Sequence, residues 1–199
     1  MPPAVGLFGV DMAGPRMGPL VVVQGLGLVG LGVVAACAHR GCVVVAADLV
    51  ASRRQIASRL GAAHLVDSRH GDVADAVRRL APDGADVVFE CTGLPGTVNA
   101  AVQLCRPDGG FVWQGNYGAQ SLPLDFLPAH GRRLRMFFPC DDGLQPCRRA
   151  VVSNIALGTL HWQHTLTDRV DAADAPAMFA RIGRGEAPDA VGVVIRWDG

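Results

Sequence analysis

The sequence predicts an α/β protein in which helices cover both faces of a parallel sheet. Short apolar runs of strand length alternate with longer segments of helical pattern along most of the 199 residues. Half of the residues are hydrophobic and only 18% are charged, which suits strands that are buried on both faces. A glycine-rich turn directly follows the first apolar run, and ligands of open α/β sheets bind at that end of the strands.

The turn after the first strand is the most informative part of the chain. The apolar run at residues 21–23 leads into a G-x-G-x-x-G sequence that opens a helical segment. That sequence consists of Gly25, Leu26, Gly27, Leu28, Val29 and Gly30. The first glycine of such a turn lets the chain leave the strand tightly, the second leaves room for a pyrophosphate, and the third lets the helix pack on the sheet. The free N–H groups of the helix N-terminus favour an anion, so we predict a dinucleotide site here.

The second apolar run, residues 43–47, ends on Asp48. A carboxylate at this position accepts hydrogen bonds from the adenosine ribose and repels a 2′-phosphate, so it favours NAD over NADP. Arg53 and Arg54 follow closely. An arginine there can stack on adenine, but it can also hold a 2′-phosphate. NAD is therefore the predicted cofactor and NADP is the less favoured alternative.

The alternation of strands and helices continues along the chain. We expect helices at residues 51–60, 72–80, 95–105, 147–157 and 174–182, with Gly61 ending the first of them and Asp174 capping the last. We expect further strands at residues 64–66, 86–90, 111–114, 134–138 and 190–197. Strands and helices in this order predict a Rossmann-type, doubly wound parallel sheet of six strands with flanking helices.

Composition excludes several classes of protein. The formal net charge is zero, so no electrostatic footprint for nucleic acid is present. The chain has no lysine, which excludes a P-loop lysine, a pyridoxal-phosphate Schiff base and a Tyr-Lys catalytic pair. Its six cysteines show no C-x-x-C and no zinc-site spacing. Without a signal peptide pattern or an apolar run long enough for a bilayer, we expect a cytoplasmic protein that does not bind membranes.

Four segments together resemble the cofactor-binding half of the medium-chain, zinc-type alcohol dehydrogenase superfamily. They are residues 21–30 with Asp48, residues 60–62 with Asp67, residues 86–93, and residues 104–110 leading to Gln114 and Gly115. The C-terminal segments 166–170, 175–179 and 193–195 fit as well, so the resemblance covers residues 14–197. It implies an NAD(P)-dependent oxidoreductase that transfers a hydride between nicotinamide and a small alcohol or carbonyl substrate.

The resemblance also implies roles for individual residues. Residues 25–29 would line the pyrophosphate, Asp48 would bind the adenosine ribose, and Arg53 would flank the adenine. The adenosine and the nicotinamide ribose would lie beside Cys91, Thr92 and Gly93. The nicotinamide end would be held by Gln114, Gly115, Asn116, Phe138 and Pro139. Gln114 departs from the small apolar residue usual at its position, and its side chain would either point into the cleft or cap a strand end.

Proteins of this superfamily carry an N-terminal catalytic domain that supplies the zinc ligands, a proton relay and most of the substrate pocket. The present sequence opens in a segment that resembles the connecting helix, and it has no G-H-E motif. We therefore expect no zinc on this chain. The expected organisation is a connecting-helix remnant at residues 1–13, a dinucleotide-binding domain at 14–160, and a C-terminal helix and strand at 161–199 that pack back on it. The resemblance also implies a homodimer through the edge strand Leu134–Phe138.

Candidate catalytic groups of the chain itself are few. Tyr117 is expected in a surface loop and His130 in a turn, while Glu90 is either a satisfied polar residue or a cleft acid. His161 and His164 have no third metal ligand near them in the sequence. We assign none of these as catalytic. Three interpretations stay open: an oxidoreductase whose catalytic groups come from a partner, a dinucleotide-binding protein without catalysis, and a part of a longer zinc-type dehydrogenase.

Overall fold

The computed structural model describes residues 2–140 and 144–197. The helices are α1 (Pro2–Ala13), α2 (Leu28–His39), α3 (Ala51–Arg59), α4 (Val73–Leu80), α5 (Val98–Val102), α6 (Phe126–Gly131), α7 (Leu144–Ala156) and α8 (Ala175–Gly183). The strands are β1 (Leu20–Gln24), β2 (Val43–Asp48), β3 (His64–Asp67), β4 (Ala85–Glu90), β5 (Cys105–Trp113), β6 (Arg135–Phe137), β7 (Leu166–Asp171) and β8 (Gly192–Arg196). None of the described helices is long and apolar enough to cross a membrane.

Six strands form one parallel sheet in the order β3-β2-β1-β4-β5-β6. The chain winds outward from β1 to β3, returns across the sheet, and winds outward again from β4 to β6. The middle residues of the two central strands are apolar and buried, and Val21, Val22 and Val88 have no exposed surface. This architecture confirms the predicted Rossmann-type sheet. The winding direction reverses between β1 and β4, which creates a crevice at the carboxyl ends of those strands.

The region between β4 and β6 differs from the prediction. Helix α5 ends at Val102 and is preceded by a 3-10 turn at Pro95–Thr97, so the helix predicted over 95–105 is too long. Strand β5 begins at Cys105, six positions before the predicted strand, and its register against β4 shifts between Ala85 and Val87. This irregularity explains why the start of β5 was predicted too late in the sequence, because Asp108 adopts a φ of 59° that interrupts the local strand pattern.

Helix α6 was not predicted, since the sequence around Pro128 was interpreted as a turn. Phe126 and His130 lie one helical turn apart, and their rings stack with centroids 4.9 Å apart. The predicted turn at His130 is therefore wrong: this histidine lies within a short helix.

The C-terminal segment forms a separate two-stranded parallel sheet of β7 and β8, connected by α8. Strand β7 was not predicted. Asp174 occupies the N-cap position of α8 but makes no side-chain cap hydrogen bond, because its backbone is helical (φ −91°, ψ −11°) rather than extended. The segment contacts α3 through Ser52, whose hydroxyl donates to Asp189 Oδ1 at 2.6 Å, and through Arg53, whose Nε donates to the Pro188 carbonyl at 3.1 Å.

Helices α1 and α2 pack with their backbones in direct contact. A Cβ atom on Gly6 of α1 would lie 2.6 Å from the Val33 nitrogen and 2.8 Å from the Val29 carbonyl oxygen. A Cβ atom on Gly32 of α2 would lie 2.8 Å from Pro3 Cα. Because these neighbours are backbone atoms, they cannot move aside as a flexible side chain can. The two glycines therefore fix how closely α1 approaches the helix that begins at the glycine-rich turn.

Replacing Gly6 with alanine is expected to lower the free energy of unfolding by about 1–3 kcal/mol, because the added methyl group overpacks this contact. Chemical denaturation of the variant measures the change. Gly183→Ala in α8 is the matched control, since a Cβ there meets nothing within 4 Å. The control is expected to be unchanged or slightly more stable because alanine favours a helix. Equal stability of the Gly6→Ala variant and the wild-type chain would contradict the close packing.

Candidate functional site

The glycine-rich turn lies at the carboxyl end of β1, beside the crevice. Gly25 has a φ of +87°, and a Cβ there would lie 2.8 Å from the Thr92 nitrogen. A Cβ on Gly30 would lie 1.9 Å from the Gly25 carbonyl oxygen, so only glycine lets α2 start this close to β1. Gly27 differs from both, since a Cβ there would meet nothing within 4 Å. Packing therefore does not require glycine at position 27. The lack of a side chain there leaves the backbone accessible from the cleft.

The N-terminus of α2 opens onto that cleft. Gly27 is the N-cap residue, and no side chain within the described part of the chain caps the helix. The cleft has a volume of ≈ 540 Å³. Its lining is drawn from the glycine-rich turn, α1, α3, the end of β4 and the C-terminal segment: Pro2, Val5, Gly27, Leu28, Val29, Gly30, Arg53, Cys91, Ala190 and Val191. Free amides at a helix start, faced by a bare backbone, suit a phosphate group. These residues therefore fit a dinucleotide.

Asp48, at the carboxyl end of β2, is 9% exposed. Its Oδ2 accepts a hydrogen bond from the Leu26 N–H at 2.7 Å, and its Oδ1 accepts one from the Val50 N–H at 2.8 Å. These two bonds tie the glycine-rich turn to the loop that enters α3 and fix the orientation of the carboxylate. Each oxygen keeps a lone pair, so the group retains the capacity to accept a hydroxyl from a ligand.

The two arginines after β2 differ in their surroundings. Arg53 lines the cleft, and its Nε donates to the Pro188 carbonyl. Arg54 points to the neighbouring strand, where Nη2 donates to Asp67 Oδ2 at 2.8 Å while Nη1 donates to the Asp48 carbonyl at 2.8 Å. The side chain of Arg54 is only 14% exposed. The structure thus separates a residue at the cleft from one that is engaged at the strand ends.

Glu90, the last residue of β4, is fully buried and is satisfied by its neighbours. Its carboxylate accepts hydrogen bonds from the backbone N–H of Thr92 at 3.2 Å and from the hydroxyls of Thr92, Thr97 (3.0 Å) and Tyr117. Of the two possibilities left open for Glu90, this network supports the satisfied polar residue. Glu90 joins the loop after β4 to the loop after β5, and Thr92 is engaged in the same network.

Tyr117 is not the surface-loop residue that the sequence predicted. It is half-buried, and its ring meets Trp113 edge-on at 5.7 Å. Burial, together with the hydrogen bond to Glu90, raises the pKa of the Tyr117 hydroxyl far above its ordinary value. A hydroxyl that holds its proton this firmly is a poor acid or base near neutral pH. Local sequence could not reveal this, because Glu90 lies 27 positions away.

The side chain of Gln114 crosses to α1. Its Nε2 donates to the Val5 carbonyl at 3.2 Å, and its Oε1 lies 1.9 Å from where a Cβ on Gly9 would be. Gln114 is 7% exposed. It therefore fills the space that Gly9 leaves and anchors α1, and neither of the two roles considered for it from the sequence describes this contact.

The other residues predicted at the nicotinamide end lie in the loops after β5 and β6. A Cβ on Gly115 would lie 2.6 Å from the Gly93 nitrogen, so these two glycines bring the loops after β4 and β5 together. Asn116 is exposed, and its Oδ1 accepts a hydrogen bond from the Gly118 N–H at 2.9 Å. Phe138 stacks on Trp113 with ring centroids 5.5 Å apart and is 63% exposed. Pro139 lies on the α1 side, with its Cγ 3.3 Å from the Cβ position of Gly9.

The remaining candidates are a pair of histidines and Cys91, which lines the cleft. The rings of His161 and His164 are 6.1 Å apart and tilted by 53°. Within residues 2–140 and 144–197, no group of three or more His, Cys, Asp or Glu side chains is placed to hold a metal ion. Burial raises the pKa of the Cys91 thiol, with the neighbouring Glu90 adding to the effect, so this thiol is a poor nucleophile.

Comparison with known proteins identifies the family. The sequence family described as zinc-binding dehydrogenase matches residues 29–155. The chain is 35% identical over 186 residues to sorbitol dehydrogenase 1 of Saccharomyces cerevisiae, covering 89% of this chain and 52% of that protein. It is 33% identical over 136 residues to D-xylulose reductase of the same organism, covering 64% of this chain and 38% of the reductase.

A solved structure agrees with these relatives. The chain superimposes with a TM-score of 0.82 and 29% identity on a putative zinc-binding dehydrogenase from Sinorhizobium meliloti 1021 bound to NADP, covering 90% of this chain and 53% of that one. The chain belongs to the zinc-binding dehydrogenase family, as the resemblance predicted. It spans about half or less of the length of these relatives.

The titration of Tyr117 tests the geometry around Glu90. Because the folded-state pKa lies above the ordinary value of about 10, the folded protein should form no tyrosinate at pH 10–11. The stability that this proton contributes is fully present below about pH 10 and is lost as the pH rises further. Tyrosinate absorbance reports on this residue alone, because the chain has one tyrosine. Ordinary titration in the folded protein, matching that in denaturant, would contradict the buried hydrogen bond.

Proposed function

We propose that this chain is the cofactor-binding part of an NAD(P)-dependent oxidoreductase that transfers a hydride between nicotinamide and a small alcohol or carbonyl compound. The observation that carries the proposal is the start of α2 at Gly27, where no side chain covers the backbone. It lies beside the carboxylate of Asp48, whose orientation is fixed by a hydrogen bond from the Leu26 N–H. Family membership supports the reaction type. The names of the relatives, sorbitol dehydrogenase and D-xylulose reductase, favour a polyol or the matching ketose as substrate.

Each part of the cleft has a role in the proposal. The amides of Leu28 and Val29 would hold the pyrophosphate, Asp48 would accept hydrogen bonds from the adenosine ribose, and Arg53 would flank the adenine. The loop Cys91–Thr92–Gly93 and the backbone of residues 114–116 would border the nicotinamide half. Nicotinamide supplies the hydride chemistry when bound. The residues of the chain bind and orient it, and Phe138 and Pro139 would close the same end.

NAD is the preferred cofactor of the two. The fixed carboxylate of Asp48 would repel a 2′-phosphate, and Arg54 is occupied by Asp67 instead of facing the cleft. The S. meliloti relative bound to NADP makes NADPH the comparison that any binding experiment must include. We expect NADH to bind more tightly than NADPH.

Catalytic groups are proposed to come from outside the described residues. Glu90, Thr92 and Tyr117 hydrogen-bond one another and do not offer a free acid or base. Hydride transfer also needs a polarised substrate oxygen and a proton path. A domain preceding α1 in a longer chain, or a partner subunit, would supply both. In this arrangement α1 would be the connecting helix, residues 14–160 would form the dinucleotide-binding domain, and the described C-terminal residues 161–197 would pack back on it.

The variant Gly27→Val tests the proposal without disturbing the fold. A side chain at Gly27 would point into open space, and the residue has an ordinary φ of −71°. Stability should therefore change little, while NADH affinity should fall at least ~10-fold because the side chain takes the place of the pyrophosphate. Fluorescence titration with NADH measures the loss, and thermal unfolding checks the fold.

Gly96→Ala is the matched control, because a Cβ there also meets nothing within 4 Å and the position lies outside the glycine-rich turn. Its NADH affinity should equal that of the wild-type chain. Unchanged NADH binding by Gly27→Val would contradict the proposed site. Saturable binding without turnover, even when a complete catalytic domain is supplied, would favour a non-catalytic dinucleotide-binding protein.

A homodimer through the edge strand β6 is part of the proposal. Among residues 2–140 and 144–197, this strand pairs only with β5, so its outer side offers backbone groups without a partner strand there, and Phe138 next to it is 63% exposed. Sedimentation of the purified chain should give twice the 20.8 kDa mass of one chain. A monodisperse monomer over a wide concentration range would contradict the dimer.

A further inference from the structure

Arg54 is held at the strand ends by two acceptors on neighbouring strands. Nη1 donates to the Asp48 carbonyl and Nη2 donates to Asp67 Oδ2, both at 2.8 Å. Asp67 is itself fixed, because its Oδ1 accepts the Arg69 N–H at 2.9 Å. The Arg69 N–H and the charge of Arg54 lower the pKa of the Asp67 carboxyl, so it stays ionised and keeps its hold on the guanidinium. The Arg54 side chain is 14% exposed.

This pair lies close to the predicted position of the adenosine ribose. Asp48 and Asp67 are register partners at the carboxyl ends of β2 and β3. Nη1 of Arg54 donates to the Asp48 carbonyl, so the guanidinium lies beside the residue whose carboxylate would bind the ribose. A guanidinium binds phosphate through paired N–H groups and always carries its charge. Its ion pair with Asp67, together with its hydrogen bond to the Asp48 carbonyl, directs this cation away from the cleft.

We propose that Asp67 is a specificity-determining residue for the cofactor: by holding Arg54 at the strand ends, it withholds from the cleft a cation that would otherwise bind the 2′-phosphate of NADP. This inference rests on the proposed function, because it needs the dinucleotide to bind at the glycine-rich turn. Rejection of NADP then has two sources, the negative charge of Asp48 and the capture of Arg54 by Asp67. Arg53 would contribute less than a released Arg54 to binding a 2′-phosphate, since its Nε already donates to the Pro188 carbonyl.

The two sources predict a coupled effect of mutation. Replacing Asp48 alone removes the repulsion but adds no cation to the one that Arg53 already places at the cleft, because Arg54 stays paired with Asp67. Replacing Asp67 alone removes the charged partner of Arg54 and leaves it the uncharged Asp48 carbonyl, but the repulsive carboxylate of Asp48 stays in place. Replacing both lets Arg54 turn towards the phosphate. Residues that act through a shared partner are expected to be non-additive in this way.

The test compares the wild-type chain with Asp48→Ser, Asp67→Ala and the double variant, each titrated by fluorescence with NADH and with NADPH. We expect the double variant to bind NADPH at least ~10-fold more tightly than Asp48→Ser does, and the gain to shrink at high salt. Adding Arg54→Gln to the double variant should abolish the gain. Asp75→Ala is the control, because it removes a comparable ion pair, that between Asp75 and Arg78 on the remote helix α4. This variant should leave the affinities for NADH and NADPH unchanged.

The outcomes separate this inference from the proposed function. If the wild-type chain binds neither dinucleotide, the proposed function fails and the inference fails with it. If the wild-type chain binds NADH but the double variant binds NADPH no better than Asp48→Ser, the inference alone is overturned. A gain that survives Arg54→Gln overturns it as well. Asp67→Asn, which keeps the shape of the side chain and removes its charge, replaces Asp67→Ala if the latter unfolds, and should give a smaller gain of the same sign.

Discussion

The close approach of α2 to the turn after β1 is the constraint on which the site depends. The Gly30 Cα faces the Gly25 carbonyl at a distance that admits no side chain. Gly6 and Gly32 allow an equally close backbone contact where α1 crosses α2. The helix start is thereby brought to the carboxyl edge of the sheet, where its free amides face the cleft. A bulkier residue at Gly30 would displace the helix and with it the anion site.

Carboxylates at the ends of β2, β3 and β4 hold the surrounding loops in place. Asp48, Asp67 and Glu90 each close a strand and each accept a backbone N–H from the loop that follows. Asp48 also accepts the Leu26 N–H from the adjacent turn. Along one edge of the sheet, the carboxylate of Asp48 is oriented by two backbone N–H groups, that of Asp67 engages Arg54, and that of Glu90 joins the loops after β4 and β5.

The sequence was sufficient to predict the doubly wound parallel sheet and the position of Asp48 at the end of the second strand. Both depend on apolar runs and on spacing within one βαβ unit. It missed what depends on distant partners. Tyr117 was predicted at the surface, yet it donates to Glu90 from 27 positions away. Gln114 packs against Gly9 and donates a hydrogen bond to the Val5 carbonyl. Both partners lie more than one hundred positions earlier in the chain. No local pattern encodes such contacts, because they arise only when the sheet has assembled.

The central claim is that a dinucleotide binds across the bare start of α2, and amide NMR tests it most directly. Addition of NADH to the isotopically labelled chain should shift the amide signals of Gly27, Leu28 and Val29 strongly, together with those flanking Asp48. Signals of the remote helix α8 should stay in place. Absence of shifts at Gly27–Val29, or shifts confined to another surface, would contradict the account and leave the glycine-rich turn as a packing feature alone.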